Sequence, residues 1–379
     1  MKKRRLLFFV TEDWYFCSHR LPLAVAAHAE GAEVTVVTRV RAHGEEIKRH
    51  GLRLVPFEIE RHGVNPWREL RTVLRLVRVY RLHRPDIVHH VALKPVLYGS
   101  IAARFARVPA VINAIAGRGS VFTSRAAWAR WLRPILRFGM RRLAGKAKSR
   151  IIVQNVDDRD FVVEHLGMRG DHVRLIPGSG VDPNRFVPSP EPKGVPLIVM
   201  PCRMLREKGV IEFVEAARIL KTEGVAARFA LVGAPDESNP ANITVGELRT
   251  WQELGIVEWW GHRTDMPEVL SQAAIVCLPT SYGEGIPKTL LEAAASARAI
   301  VATDVPGCRE IARHGENGLL VPVRDTRALA EALKQLILDS SLRQRMGKRG
   351  REIAVAEFSV ANIVKDTLAV YEELLPRCP

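Results

Sequence analysis

At 379 residues, 47% of them hydrophobic and 26% charged, the chain has ample material for globular cores and exceeds the usual span of one domain. Its five cysteines (Cys17, Cys202, Cys277, Cys308 and Cys378) include no C-x-x-C pair, which argues against a disulfide framework or a zinc site and suits a reducing cytoplasm. The net charge of +16 sits in one half: residues 1–190 carry 34 Lys and Arg against 16 Asp and Glu, and the rest is close to neutral.

The basic start, Met1-Lys-Lys-Arg-Arg5, is followed by only five apolar residues before Thr11-Glu12-Asp13, so Leu6–Val10 reads as a first strand and not as a signal segment. No apolar run approaches the roughly 20 residues that span a bilayer. Further strands are expected at Val34–Thr38, Leu52–Phe57, Asp86–Val91, Ala110–Ala114, Ile151–Gln154 and Val173–Ile176. After the proline-rich stretch 183–196 the style repeats, at Leu197–Cys202, Ala227–Val232, Val257–Trp260, Ala274–Leu278, Ala299–Ala302 and Leu319–Val321. Strand and helix in alternation predict an α/β chain of two doubly wound, Rossmann-like parallel-sheet domains, 1–182 and 197–355, facing a central cleft. Residues 183–196 read as the linker and 356–379 as a helix returning to the first domain.

Two helical stretches in the first half are strongly basic. In 65–82, the spacing of Trp67, Leu70, Val73, Leu74 and Val77 predicts a core-packed face opposite Arg68, Arg71, Arg75 and Arg78. The stretch 124–143 carries Trp128, Trp131 and six arginines, among them Arg130, Arg133 and Arg137. Tryptophan with arginine is the composition of an interfacial membrane contact, and no acidic residue occurs anywhere in 87–156. An anionic membrane surface is therefore the expected partner. Nucleic acid is the competing one, but no recognition motif for it is present. Asp158-Arg-Asp160, a pair of carboxylates that could suggest a divalent cation, follows a strand and reads better as helix-start acids.

The stretch with most chemistry is Glu284-Gly-Ile-Pro-Lys-Thr-Leu-Leu-Glu292, which crosses from a loop into a helix after the strand Ala274–Leu278. Pro287 suits a first helical position, and the N–H groups of Gly285, Ile286 and Lys288 would point at an anion held by the helix dipole. An ionised carboxylate only accepts hydrogen bonds, so Glu284 beside a phosphate would grip sugar hydroxyls and Glu292 a vicinal diol such as a ribose.

With Gly307-Cys-Arg-Glu-Ile311 and Asn317-Gly-Leu-Leu-Val321, this stretch resembles the signature of family 4 glycosyltransferases, which have the GT-B fold and retain anomeric configuration. Cys202-Arg-Met-Leu-Arg-Glu-Lys-Gly209, Leu231-Val-Gly233 and Gly261-His-Arg-Thr-Asp-Met-Pro267 are similar to further motifs of that family. His19-Arg-Leu-Pro-Leu23, Leu93-Lys-Pro-Val-Leu-Tyr-Gly99 and Gly117-Arg-Gly-Ser-Val-Phe122 resemble the branch that builds bacterial surface glycans on polyprenyl diphosphate. The resemblance covers nearly the whole chain.

It implies a retaining transfer of a sugar, an N-acetylhexosamine, from a UDP-sugar to a polyprenyl-diphosphate-linked acceptor, by an enzyme peripheral to the cytoplasmic face of the membrane. Glu284, Arg203 and Lys208 would be catalytic, the last two neutralising the donor diphosphate, with no metal or other cofactor. Gly285, Ile286, Pro287, Lys288, Glu292, Gly233, His262 and Arg263 would bind the donor. His19, Lys94, Gly117, Arg118 and Gly119 would bind the acceptor. Where relatives place a histidine that orients the donor sugar, Ile112–Gly117 has none, leaving His19, His89 and His90 as candidates by sequence, with His89 and His90 at a strand end and at least one of them expected to be structural. Two other readings stay open: a GT-B nucleotide-sugar epimerase, which needs no acceptor, and a non-catalytic protein binding anions or nucleic acid.

Overall fold

The computed structural model describes residues 3–59, 66–115, 148–237, 239–283 and 285–375. The chain divides into two compact units, Met1–Ser179 with Val360–Pro379, and Gly180–Ser359.

In the first unit the strands are β1 Arg5–Glu12, β2 Glu33–Arg39, β3 Arg53–Pro56, β4 Ile87–Val91, β5 Ala110–Ile115, β6 Ser149–Val153 and β7 Val173–Leu175. They pair in parallel in the order β3-β2-β1-β4-β5-β6-β7. The second unit has β8 Leu197–Pro201, β9 Arg228–Val232, β10 Glu258–Trp259, β11 Ile275–Leu278, β12 Ala299–Thr303 and β13 Gly318–Val321, again all parallel, in the order β10-β9-β8-β11-β12-β13. All thirteen strands expected from the sequence are present, each end within two residues. Both sheets are doubly wound: strand order reverses between β1 and β4 in one and between β8 and β11 in the other, and ligands in such sheets bind beyond the carboxyl ends at that reversal.

Burial explains why continuous apolar runs fold this way. Every residue of β8 is buried, with Ile198 and Met200 packing toward the helices Val210–Thr222 and Thr326–Leu338, and Leu197 and Val199 toward the helices Lys288–Ala295 and Ser340–Phe358. A strand covered on both faces needs no polar alternation.

The proline-rich segment 183–196 belongs to the second unit, where Phe186 joins the core and Arg351 donates to the carbonyls of Phe186 and Pro183. The chain changes unit after Ser359, and the helix Val360–Leu374 packs in the first. There the Tyr371 hydroxyl and His89 Nδ1 are hydrogen-bonded at 2.6 Å, and Glu373 pairs with Arg150 and Arg174.

One sequence expectation is corrected here and a second is extended. In the helix Pro66–His83 the buried face is Val73, Leu76, Val77 and Tyr80, whereas Trp67, Leu70 and Leu74 are exposed. Two turns of helix hold two apolar stripes, and β1 and the helix Leu93–Ala106 take the one centred on Leu76. His89 and His90 are core residues: His90 Nδ1 meets Asn113 Oδ1 at 2.8 Å, its Nε2 meets the Tyr80 hydroxyl at 3.0 Å, and His89 stacks on Phe8. Burial drives the pKa of both down, His90 to about 4, so both are neutral at pH 7.

Candidate functional site

In the second unit Arg203 and Lys208 follow β8, and Ile286, Pro287, Lys288 and Glu292 follow β11, the two strands at the sheet reversal, whereas Gly233, His262 and Arg263 follow β9 and β10. After β8, Cys202 to Leu205 lead into a short 3-10 turn, Arg206–Lys208, and Gly209 turns the chain into the next helix. Gly209 has φ +83°, and a Cβ there would stand 2.1 Å from the carbonyl oxygen of Pro279. Only glycine lets the loop after β8 come this close to the loop after β11.

The two loops are also bonded. The Glu207 carbonyl accepts the Ser281 N–H at 2.9 Å and the hydroxyls of Thr280 and Ser281 at 3.1 and 3.2 Å. Thr289, in the first turn of the helix Lys288–Ala295, donates to the Pro201 carbonyl at 3.0 Å. Lys208 and the start of this helix are thereby fixed on one framework. The helix begins after Pro287, whose side chain offers no cap. Ile286 is buried and anchors the loop that precedes it.

Glu292, one turn further in, is 8% exposed. Burial pushes its carboxyl pKa up; Lys288, with Nζ 3.7 Å from Oε1, and Arg185 oppose that rise. A buried carboxylate with this little compensation is suited to accepting hydroxyls from a ligand. Arg203 is half exposed and ion-pairs with Asp236 at 3.0 Å, and Asp236 is itself positioned by its N–H donating to Asn242 Oδ1 at 2.7 Å.

Gly233 is a packing position. A Cβ there would stand 1.8 Å from the Cys202 carbonyl oxygen, its N–H donates to the Gly261 carbonyl, and its own carbonyl accepts the Trp259 indole N–H. It joins the ends of β8, β9 and β10. Beyond β10, His262 is exposed, and Arg263 is held by a two-pronged pair with Asp265, whose carboxyl that guanidinium lowers to about 2. Arg263 thus already has an anionic partner in its own loop.

In the first unit, His19 ends the helix that follows β1 and stacks on Tyr15 at 4.1 Å. Lys94 opens the helix after β4 and pairs with Glu69 at 3.1 Å. Since β1 and β4 are neighbours, both residues follow the strands that flank this sheet's reversal. Also there, Asp13 is wholly buried. Burial raises its pKa, but backbone N–H groups of Arg41, His43 and Trp14 outweigh that and hold it low, so it is a structural anchor of the β2 loop. Asp158 is likewise a helix-start residue, bonded to the Asn155 cap through its N–H and carboxylate.

Glu284, Gly117, Arg118, Gly119, Trp128, Arg130, Trp131, Arg133 and Arg137 lie outside the described residues. Sequence reading missed the roles of Glu207, Thr280, Ser281, Asp236 and Arg185. The hydroxyl pair Thr280-Ser281 at a strand end was the available signal for the clamp.

Comparison with known proteins fits this framework. Residues 195–339 match the family model described as glycosyl transferases group 1, and residues 5–155 match glycosyl transferase 4-like. A relative in Campylobacter jejuni, an N,N'-diacetylbacillosaminyl-diphospho-undecaprenol alpha-1,3-N-acetylgalactosaminyltransferase, is 28% identical over 94% of this chain and 95% of its own length. An Escherichia coli relative, a UDP-Gal:alpha-D-GlcNAc-diphosphoundecaprenol alpha-1,3-galactosyltransferase, is 22% identical over 81% and 80%. Among solved structures, sucrose-phosphate synthase from Thermosynechococcus elongatus superimposes with a TM-score of 0.81 at 19% identity, covering 99% of this chain and 100% of its own. With a 4-like first half and a group 1 second half on two GT-B Rossmann-like units, the chain belongs to the glycosyltransferase family.

Proposed function

We propose that the chain transfers a sugar, an N-acetylhexosamine, from a UDP-sugar to a sugar carried on a polyprenyl diphosphate, with retention of configuration and at the inner face of the membrane. The observation that carries the donor half is the Glu207–Ser281 clamp, which with the Thr289–Pro201 bond fixes Lys208 and the start of the Glu292 helix to one framework at the sheet reversal. Lys208, Arg203 and the helix end supply the positive charge that a leaving diphosphate requires, and no metal enters the proposal. Glu292 takes the ribose diol, and Glu284 takes sugar hydroxyls. The acceptor class is supported by the two relatives, whose names both specify undecaprenyl-diphosphate-linked sugars, and the UDP donor by the second of them.

In this reaction the bond from the anomeric carbon to the diphosphate oxygen breaks while the acceptor hydroxyl oxygen bonds the same face. The hydroxyl proton passes to an oxygen of the departing diphosphate. His19, Lys94 and Arg118 are proposed to hold the acceptor diphosphate, and the Trp128–Arg137 segment to meet anionic lipid. A thermal-shift screen against nucleotide sugars tests the donor assignment, because a ligand bound only by the folded state raises apparent stability. Stabilisation by UDP-sugars is expected; no shift with any nucleotide sugar would remove the donor site.

A further inference from the structure

The helix Pro66–His83 presents a surface that the transfer itself does not use. On its outer side Trp67, Leu70 and Leu74, spaced three and four residues apart, are 75%, 49% and 53% exposed. Arg71, Arg75 and Arg78 are also exposed and run along the adjoining stripe at the same helical spacing. The helix has a single acid, Glu69, and its carboxylate is turned to Lys94. A lone exposed leucine is ordinary, but an apolar stripe edged by arginines marks an interaction surface.

We propose that this helix lies flat on an anionic lipid bilayer, with Trp67, Leu70 and Leu74 in the headgroup boundary and the three arginines on lipid phosphates. Among the described residues no helix is long and apolar enough to cross a membrane, so the contact is a surface one. A nucleic acid would satisfy the arginines yet leave the apolar stripe against phosphates. The Glu69–Lys94 pair ties the inner side of the helix to a residue proposed to hold the acceptor diphosphate. In that respect the inference rests on the lipid-linked acceptor, but its test needs no turnover.

The full chain is sedimented with phosphatidylcholine vesicles, with and without phosphatidylglycerol. Wild type is expected to bind only the anionic vesicles. Each arginine near such a surface strengthens binding about fivefold, so the Arg71→Ala/Arg75→Ala/Arg78→Ala variant should bind about 100-fold more weakly. The Trp67→Ser/Leu70→Ser/Leu74→Ser variant should weaken binding at least about tenfold. Both variants should keep the wild-type melting temperature and wild-type turnover of a water-soluble, short-prenyl acceptor. Wild-type vesicle binding by either variant, equal binding to neutral vesicles, or loss of duplex-DNA binding in place of vesicle binding would overturn the docking surface. Absence of turnover in wild type and variants alike would count against the proposed reaction and leave the docking result standing.

Discussion

The Ser281 N–H donates to the Glu207 carbonyl oxygen at 2.9 Å, joining two loops more than seventy residues apart in sequence. Gly209, two residues after Glu207, makes that approach sterically possible. Replacing it tests whether the clamp matters. Gly209→Ala places a Cβ against Pro279 and forces alanine into a left-handed conformation, which together should cost at least about 2 kcal/mol of stability. Calorimetry should show a lowered melting temperature, and kcat/KM should fall further than the residual folded fraction explains. A variant with wild-type Tm and kcat/KM would show that the loops part freely.

Lys208→Ala should lower kcat about 100- to 1,000-fold, the range for removing one well-aimed group that stabilises developing negative charge. Glu284→Ala should be comparably impaired, with circular dichroism unchanged in both. Arg203→Ala should cost less, because Asp236 already offsets part of its charge. Steady-state kinetics with saturating acceptor provide the check; full kcat/KM in either of the first two variants would void that residue's role.

Much of this was legible in advance because the strands are continuous apolar runs bounded by turn residues, and burial on both faces demands that pattern. Lys208 and the 284–292 stretch could be placed at a strand end for the same reason. The clamp was not legible, since it runs through the Glu207 carbonyl, which any residue would supply. Nor was the orientation of helix Pro66–His83, where the stripes containing Leu74 and Leu76 are equally apolar and only tertiary packing selects one. His89 and His90 read as candidate ligands in a sequence, but Tyr371 and Asn113, the partners that make them structural, are remote in the chain.

Glu292 should give donor binding a pH dependence. Its carboxyl is raised by burial, so as pH falls through that raised pKa the group takes up a proton and loses its grip on a diol. The KM for the UDP-sugar should therefore rise toward acid pH. Lys288 holds that pKa down, so Lys288→Ala should move the rise to higher pH, and Glu292→Gln should abolish it. A donor KM that is flat with pH in wild type would contradict the assignment.

His90 gives stability the same direction of pH dependence. Its folded pKa is about 4 against an ordinary 6.5, so between these values the unfolded chain binds the proton first. Its contribution is full above pH 6.5 and is lost as pH falls toward 4, by about 3 kcal/mol in total. His89, also lowered by burial, adds in the same sense. The urea midpoint should drop from pH 7.5 to pH 5, and His90→Gln should be less stable at pH 7.5 but less pH-sensitive. A midpoint that holds steady over this range would contradict the buried neutral state.

The most direct measurement incubates the purified chain with an undecaprenyl-diphosphate-linked sugar and a panel of UDP-sugars, and analyses the product by mass spectrometry and NMR. The account predicts addition of one N-acetylhexosamine in the α configuration of the donor, dependent on both substrates. Absence of product with every UDP-sugar of the panel would contradict it.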